Sequence, residues 1–401
     1  MAKQDQSEYK VSILRNWHYY LFFFLMRLLS RLPYRVLISV GRKIGLIMYK
    51  YGKSRTRIAR INISKCFPEL SSEQQEHLVR ENAISTGIGT IEMAMLWFGP
   101  QRDWSKLVEI EGLDHLEQAK RDGSGGLLLS FHLTSLEIGG SLLGTQFPIG
   151  ALYRRNENPL IENAMVSGRK HFVHPIPREA TRDMIKWIKN NGFVWYAADQ
   201  DYGRKQSIFV PFFGIDTATI TATTRFVKLT KAPVIPMTQR RDLKSGKIIV
   251  TIHPPITTMG DDAREDAIVI NQFLEKYLAQ YPAEYLWVHR RFKTRPNEDD
   301  PSFYPKKSKT RIVTPERFKN ILNAAVKISE MDGEVTEIQL KHAHIKVIPR
   351  RKNLFGIYQE QVSKTIKPND VYYDNDVVYR YNGYVRYCEF KQSDLAYFEL
   401  D

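Results

Sequence analysis

Between residues 104 and 255, short continuous apolar runs alternate with stretches whose apolar positions recur every three or four residues. The run "GLLLSF" (126–131) follows the loop signal "DGSGG" and predicts a buried strand. "FPIGALYR", "GFVWYAAD", "APVIPMT" and "KIIVTIHPP" are four further strand-like runs, and "WSKLVEIEGLDHLEQAKRDGSGG" reads as a short strand, a helix and a loop. Helical stretches, notably "ATRDMIKWIKNN" and "ATTRFVKLTK", separate most of them, and "HFVHPIPRE" reads as a Pro-broken loop. The turn "FPELSSEQ" leads into a long helix ahead of this block, and "REDAIVINQFLEKYLAQYP" closes it with another. Such alternation predicts an α/β fold, a mixed and largely parallel sheet flanked by helices.

The first sixty residues have a different pattern. Trp17 to Met26 is a dense apolar stretch, rich in Trp, Tyr and Phe as a membrane-interface segment is, and Arg27 and Arg31 interrupt it. Its clean apolar core of about ten residues is short of the roughly 20 that span a bilayer. No small-residue cleavage site follows, so it does not read as a removed signal peptide. "LISVGRKIGLIMYKYGKSRTRIAR" then sets Arg42, Lys43, Lys50, Lys53, Arg55, Arg57 and Arg60 among apolar positions at helical spacing. That is the pattern of a helix lying on an anionic membrane face, or of a buried helix with a solvated basic side.

Around Pro296 the composition turns polar and charged, and "NEDDPSFYPKKSKT" reads as a linker. Beyond it, "TPERFKNILNAAVKISEM" predicts a helix capped by Thr314 with Pro315 at its first position. "EVTEIQLKHAHIKVIPR" predicts a strand that puts His342 and His344 on one face, and "DVVYRYNGYVRYCEF" a hairpin turning at Asn382-Gly383. The expected organisation is a membrane-anchoring basic segment (1–60), a catalytic α/β domain (61–304) and a small α+β accessory domain (305–401) without a recognisable site.

Composition narrows the function classes. With 12% aromatic and 43% hydrophobic residues the chain is a folded protein. Cys66 and Cys388 match no metal or redox spacing, and no cluster of His and Cys suggests zinc, so neither a metal nor a cofactor is expected. The net charge of +15 points to a polyanionic partner: nucleic acid, phosphorylated lipid, anionic membrane or an acidic carrier protein. No helix-turn-helix, zinc-finger or ribonucleoprotein signature is present, which sets nucleic acid aside.

"SFHLTSLEIGG" (130–140) places His132 five residues before Glu137. With 10 His and 44 acidic residues, about one such pair is expected by chance, and two occur, the other being His174/Glu179. The context separates them. His132 falls between a predicted strand and a helix opened by Thr134 and Glu137 in capping-box spacing, the place where α/β proteins carry reactive groups. Five residues along one helix would set the two side chains about 140° apart, so they meet only if His132 lies outside it. Locally, Glu137 as a mere cap and His132 as a packed core histidine remain open.

Five blocks in order, "INISKCFPELSSEQ", "GGLLLSFHLTSLEIGG", "ALYRRNENPL", "WYAADQDYGRKQSIFVPFFG" and "EYLWVHRRFKTRP", resemble the lipid A biosynthesis acyltransferases over residues 10 to 304. The family hallmark, a His and an acid separated by four residues, is met by His132 and Glu137, and the ending "HRRFKTRP" resembles the lauroyl-type more than the myristoyl-type enzymes. The resemblance implies a glycerolipid-acyltransferase-like fold. It also implies transfer of an acyl chain from acyl carrier protein to the hydroxyl of a 3-hydroxyacyl chain on a Kdo-bearing, bis-phosphorylated lipid A precursor. The reaction would occur on the cytoplasmic face of a Gram-negative inner membrane.

The chemistry of the residues agrees with this. A secondary hydroxyl is a poor nucleophile near neutrality and needs a base such as His132; Glu137 would then fix the imidazole tautomer. No GxSxG elbow is present, and no acyl-enzyme is required. Arg154 and Arg155, just past a strand, are candidates for the thioester oxyanion or a lipid phosphate, Arg154 the better placed. Asp199, Asp201 and Arg204 lie in a strand-end loop, where the acids could position a substrate hydroxyl or only stabilise the loop. Arg290 and Arg291, with Lys293 and Arg295, suit phosphate or Kdo carboxylate, or form a solvated basic tail. Two other readings are a glycerolipid acyltransferase using the same His–acid pair and a non-catalytic, membrane-bound basic scaffold. Residues beyond about 305 lie outside the resemblance, so a chain ending near Pro305 is expected to keep transferase activity.

Overall fold

The computed structural model describes residues 13–100, 102–242 and 244–305 and, beyond these, eight short strands between 310 and 397. Two compact units result, Met1–Tyr304 and Pro305–Asp401.

The first unit opens with four helices, α1 (Ile13–Leu29), α2 (Tyr34–Tyr51), α3 (Lys53–Cys66) and α4 (Ser72–Phe98). Strands and helices then alternate: β1 (Val108–Glu111), α5 (Leu113–Arg121), β2 (Gly126–Ser130), α6 (Leu136–Leu143), β3 (Ile149–Tyr153), α7 (Pro159–Arg169), β4 (His174–Pro177), α8 (Thr181–Lys189) and β5 (Phe193–Ala197). The hairpin β6 (Ser207–Phe212) and β7 (Ile215–Ile220), α9 (Ala222–Thr230), β8 (Val234–Asp242), β9 (Lys247–Ile252) and α10 (Ala263–Gln280) complete it. The sheet order is β1-β9-β8-β2-β5-β3-β4, with β8–β9 the one antiparallel pair among these strands. The α/β fold with a mostly parallel sheet is therefore as the pattern predicts.

Strand alternation builds two cores. Leu127 and Leu129 of β2 face α3, α8, α9 and α10, while Leu128 faces α5 and α6 and the C-terminal half of α4. All three are fully buried, as a central parallel strand covered on both faces requires. The "HFVHPIPRE" segment differs from its reading as a loop, because His174–Pro177 pairs with β3 as the edge strand β4. Its two prolines are tolerated because an edge strand has one side free of ladder bonds.

At the amino-terminal end of the unit, α4 starts on a capping box: Ser71 accepts from the Gln74 N–H and the Gln74 side chain accepts from the Ser71 N–H. Its middle turn meets α2 at very short range. A Cβ on Gly45 would overlap the Ile84 Cα, and one on Gly87 would overlap the Gly41 carbonyl, so only glycine permits this crossing. The opposite side of α2 and most of α1 stay exposed and mix large apolar residues (Trp17, Phe22, Phe24, Leu25, Ile47) with Arg27, Arg35, Arg42, Lys43 and Lys50. One face of α2 is thus packed and the other is exposed, basic and apolar. Among the described residues no helix is long and apolar enough to cross a membrane.

In the second unit, four strands form an antiparallel sheet: β10 (Thr310–Val313), β12 (Ile345–Val347), β15 (Lys364–Ile366) and β16 (Val385–Cys388). Two further pairs join β11 (Ile338–Leu340) to β17 (Leu395–Tyr397) and β13 (Arg350–Lys352) to β14 (Tyr358–Glu360). The expected helix after Pro315, the His342/His344 pair and the Asn382-Gly383 turn lie outside the described residues.

Candidate active site

β2 and β5 are parallel neighbours with Ser130 opposite Ala197, so the residues two beyond each strand end, His132 and Asp199, emerge side by side. The His132 backbone N–H lies 3.1 Å from both Asp199 carboxylate oxygens, and its ring Nδ1 is 2.8 Å from Oδ1. Asp199 is 1% exposed, whereas the His132 ring keeps about a quarter of its surface. A carboxylate on Nδ1 fixes that nitrogen as N–H and leaves Nε2 as the basic lone pair.

Burial alone would raise the Asp199 carboxyl, but the His132 charge, the two hydrogen bonds from His132 and the nearby Arg291 cation outweigh it and hold the group at about 2, against 3.8 ordinarily. A depressed carboxylate contributes stability that is complete above its unfolded value and lost as pH falls through the folded one. The expected result is that Asp199→Asn is less stable than the wild type by about 2 kcal/mol above pH 4, and that this gap closes between pH 4 and 2. Denaturant unfolding of both proteins across that range checks it.

The site's remaining histidine, His289, is pushed down to about 4 by burial first and by the charges of His132 and Arg291. Its Nε2 accepts the Asp201 backbone N–H at 3.3 Å, so it stands as a neutral ring beside the pair.

Glu137 does not make the contact expected of it. It lies in the first turn of α6, where its oxygens take Arg169 Nη2 at 2.6 Å, Arg169 Nε at 2.8 Å and Trp97 Nε1 at 2.8 Å. Burial would raise this carboxyl, but Arg169 and Trp97 together leave it lowered. The acid on His132 comes instead from the end of the adjacent strand, because the register of β2 and β5 sets Asp199 beside it while Arg169 and Trp97 hold Glu137. The capping box also fails to form: the residue flanking α6 is Ser135, without a side-chain cap, and Thr134 is engaged elsewhere.

The other candidates divide by burial. Both Asp201 oxygens are used structurally, by the Thr294 N–H (2.6 Å) and hydroxyl (2.8 Å) of the segment after α10 and by the Gly203 N–H (2.8 Å) of its own loop. Arg204 donates to the carbonyls of Pro296 and Arg295 at 2.6 and 2.8 Å. Arg291, read as a phosphate or Kdo contact, is fully buried and donates to the Ala218 carbonyl, the Thr219 hydroxyl and Asn271, which removes it from any ligand. Arg154, paired at 3.3 Å with Glu157, and Arg155 are exposed just past β3, and Arg290 is half-buried over the Tyr304 ring. Burial raises the Cys66 thiol far above its ordinary value, which argues against it as a nucleophile.

A histidine–carboxylate pair at the carboxyl ends of parallel strands, with no serine or cysteine hydrogen-bonded to the His132 ring among the described residues, suits direct transfer to a hydroxyl. Residues 4–294 match the sequence model of the bacterial lipid A biosynthesis acyltransferases. The chain belongs to this family. It is an acyltransferase, 35% identical over 293 residues to the lipid A biosynthesis lauroyltransferase of Escherichia coli K12, with 72% of this chain and 95% of that one covered. The lipid A biosynthesis palmitoleoyltransferase of the same organism is 37% identical over 268 residues, covering 66% and 88%. A lipid A biosynthesis acyltransferase of Haemophilus influenzae is 35% identical over 296 residues, covering 72% and 94%. The first two relatives are named for different acyl chains at nearly equal identity, so likeness alone does not assign this acyltransferase a chain length.

Proposed function

We propose that this acyltransferase moves a fatty acyl chain, lauroyl or close to it in length, from acyl carrier protein to the 3-hydroxyl of an acyl chain on Kdo-lipid IVA, with His132 as general base. The observation that carries this is the 2.8 Å contact between Asp199 and His132 Nδ1, which leaves Nε2 to receive a proton. Nε2 takes the hydroxyl proton as that oxygen attacks the thioester carbon. The tetrahedral oxyanion then collapses, the C–S bond breaks, and the imidazolium returns the proton to the departing thiolate. Arg154 and Arg155, exposed just past β3, supply cationic donors for the oxyanion or a lipid phosphate, and Arg290 adds a third for phosphate or Kdo carboxylate. Glu137 contributes by fixing Arg169 at the start of α6. An acidic carrier and a bis-phosphorylated acceptor both suit a net charge of +15.

The test incubates membranes carrying the protein with a panel of acyl-carrier donors and Kdo-lipid IVA, with a glycerol phosphate acceptor alongside, and reads the products by mass spectrometry. One added acyl chain on the lipid, absent with His132→Ala, is the expected result, and the preferred donor gives the chain length. Acylation of glycerol phosphate alone, or undiminished transfer by His132→Ala, would sink the proposal. A chain ending at Pro305 should behave as the full chain in this assay, and a folded, inactive truncation would refute that.

The same reading places α1 and the outer side of α2 in the inner-membrane interface, facing the cytoplasm. Phe22 and Leu25 are about half exposed on α1. Fully burying side chains of this kind is worth about 1.5–3 kcal/mol each. Phe22→Asn with Leu25→Asn is therefore expected to weaken binding to anionic vesicles about tenfold or more in a flotation assay. Unchanged flotation would show that this face does not enter the bilayer.

A further inference from the structure

β8 carries adjacent arginines with opposite fates. Arg240 lies over the Tyr281 ring, whereas Arg241 points to the α4 and α6 side of the sheet, its side chain 3% exposed. The Arg241 guanidinium serves three elements at once. Nε and Nη2 form a fork on Glu92 of α4 at 2.9 and 2.7 Å. Nη1 reaches Ser85 Oγ at 2.8 Å and Glu284 Oε2 at 3.2 Å. Nη2 donates to the Thr134 carbonyl at 2.9 Å, and Nη1 to the Thr134 hydroxyl at 3.0 Å. Tyr34 of α2 closes the cluster by donating to Glu92 at 2.7 Å.

Thr134 lies two residues past His132, in the turn that connects β2 to α6. The rest of that turn is held by the segment after α10: the Thr134 N–H donates to the Glu284 carbonyl at 2.6 Å, and the Leu286 N–H donates to the His132 carbonyl at 2.9 Å. Gly89 lets α4 come against the same turn, since a Cβ there would overlap the Thr134 carbonyl oxygen. Removing the guanidinium would leave the buried Glu92 and the partly buried Glu284 without their cation and the Thr134 carbonyl without its donor.

We propose that Arg241 is a positioning residue for acyl transfer: its guanidinium locks the Thr134 end of the turn and thereby keeps His132 in register with Asp199. This rests on the reading of His132 as the base. The planar fork is essential to the role, because one ammonium cannot bond Glu92, Ser85 and both oxygens of Thr134 together.

The test measures kcat, KM for each substrate, and the pH profile of kcat/KM for full-length Arg241→Gln, Arg241→Lys, Thr134→Val, Asp199→Asn and His132→Ala, with the folded fraction of each. Displacing a catalytic group by about 1 Å costs on the order of 100-fold. Arg241→Gln is therefore expected to lose about 100-fold in kcat with both KM values nearly unchanged, and Arg241→Lys to lose less. The ionisable group in contact with the His132 ring is Asp199, 2.8 Å from Nδ1, with the partly buried His289 ring close by. An imidazole that loses its carboxylate is harder to protonate, so the acid limb should move to lower pH in Arg241→Gln, in the direction shown by Asp199→Asn. Thr134→Val should move it the same way by less. A wild-type acid limb in Arg241→Gln, with a kcat loss no larger than its loss of folded protein, overturns the proposal. Should Arg241→Gln not fold, wild-type kcat and acid limb in Thr134→Val overturn it instead. Full transfer by His132→Ala would defeat the base assignment itself, an outcome distinct from an inactive His132→Ala beside an Arg241→Gln with an unmoved limb.

Discussion

Asp199→Asn is expected to lower kcat for acyl transfer by about 10⁴-fold with little change in KM, the size seen when an orienting carboxylate is replaced by its amide in a serine protease. The variant keeps the shape of the side chain and one oxygen for the His132 N–H, so the turn between β2 and α6 has no reason to move. What changes is the proton. A carboxylate accepts Nδ1–H and leaves Nε2 basic; an amide can present its NH2 group to Nδ1 and reward the opposite tautomer, in which Nε2 carries hydrogen and cannot take one from a hydroxyl. It also removes the negative charge that compensates the imidazolium formed during attack. Since Asp199 is 1% exposed, water cannot substitute for it. The measurement is steady-state transfer with both substrates varied. A kcat within tenfold of wild type would show that the 2.8 Å contact does not set the tautomer used in catalysis.

The assignment of Asp199 illustrates what the sequence could carry. Spacing along the chain coupled His132 to Glu137, five residues away, because local patterns are the ones a single sequence displays. The true neighbour is 67 residues distant and arises from register: "LLLSFH" and "WYAAD" end on paired strands, each followed two residues later by a polar group. Had the pairing of those two runs been assumed, the contact was derivable. The strands themselves were legible because continuous apolar runs bounded by loop signals have few other solutions. The β6–β7 hairpin and α7 carried weaker patterns and escaped that reading.

Adjacent arginines show a different limit. In "HRRF" and in "TQRRD" one member of each pair is buried and the other is not, and charge alone does not say which. Arg291 fills a polar niche made by the Ala218 carbonyl, the Thr219 hydroxyl and Asn271, which no local pattern announces. Arg241 was decidable only from strand alternation, since it shares a face with Met237 while Arg240 shares one with Thr238. Arg291 is misread as a ligand contact because its partners, the Ala218 carbonyl, the Thr219 hydroxyl and Asn271, lie far away in sequence.

Glu137 gives the second large effect, and here stability rather than proton transfer is the first readout. Glu137 and Arg169 are each 14% exposed and share two hydrogen bonds, and Trp97 donates a third to the same carboxylate. Removing one partner of such a pair leaves the other charge buried without compensation, a loss of about 3–5 kcal/mol. Glu137→Gln is expected to fall in this range in denaturant unfolding. Arg169→Gln should cost a comparable amount, and the double variant should cost less than the two losses added, because each change already forfeits the same interaction. Additive losses would mean that the pair is not coupled. The same variants separate the two roles open to Glu137. If it acts by anchoring Arg169 and the first turn of α6, residual transfer in Glu137→Gln keeps the wild-type acid limb, since the imidazole still faces Asp199. A limb displaced as in Asp199→Asn, in a protein of undiminished stability, would instead return Glu137 to the role of orienting acid, and the ion pair with Arg169 would then be incidental to the reaction.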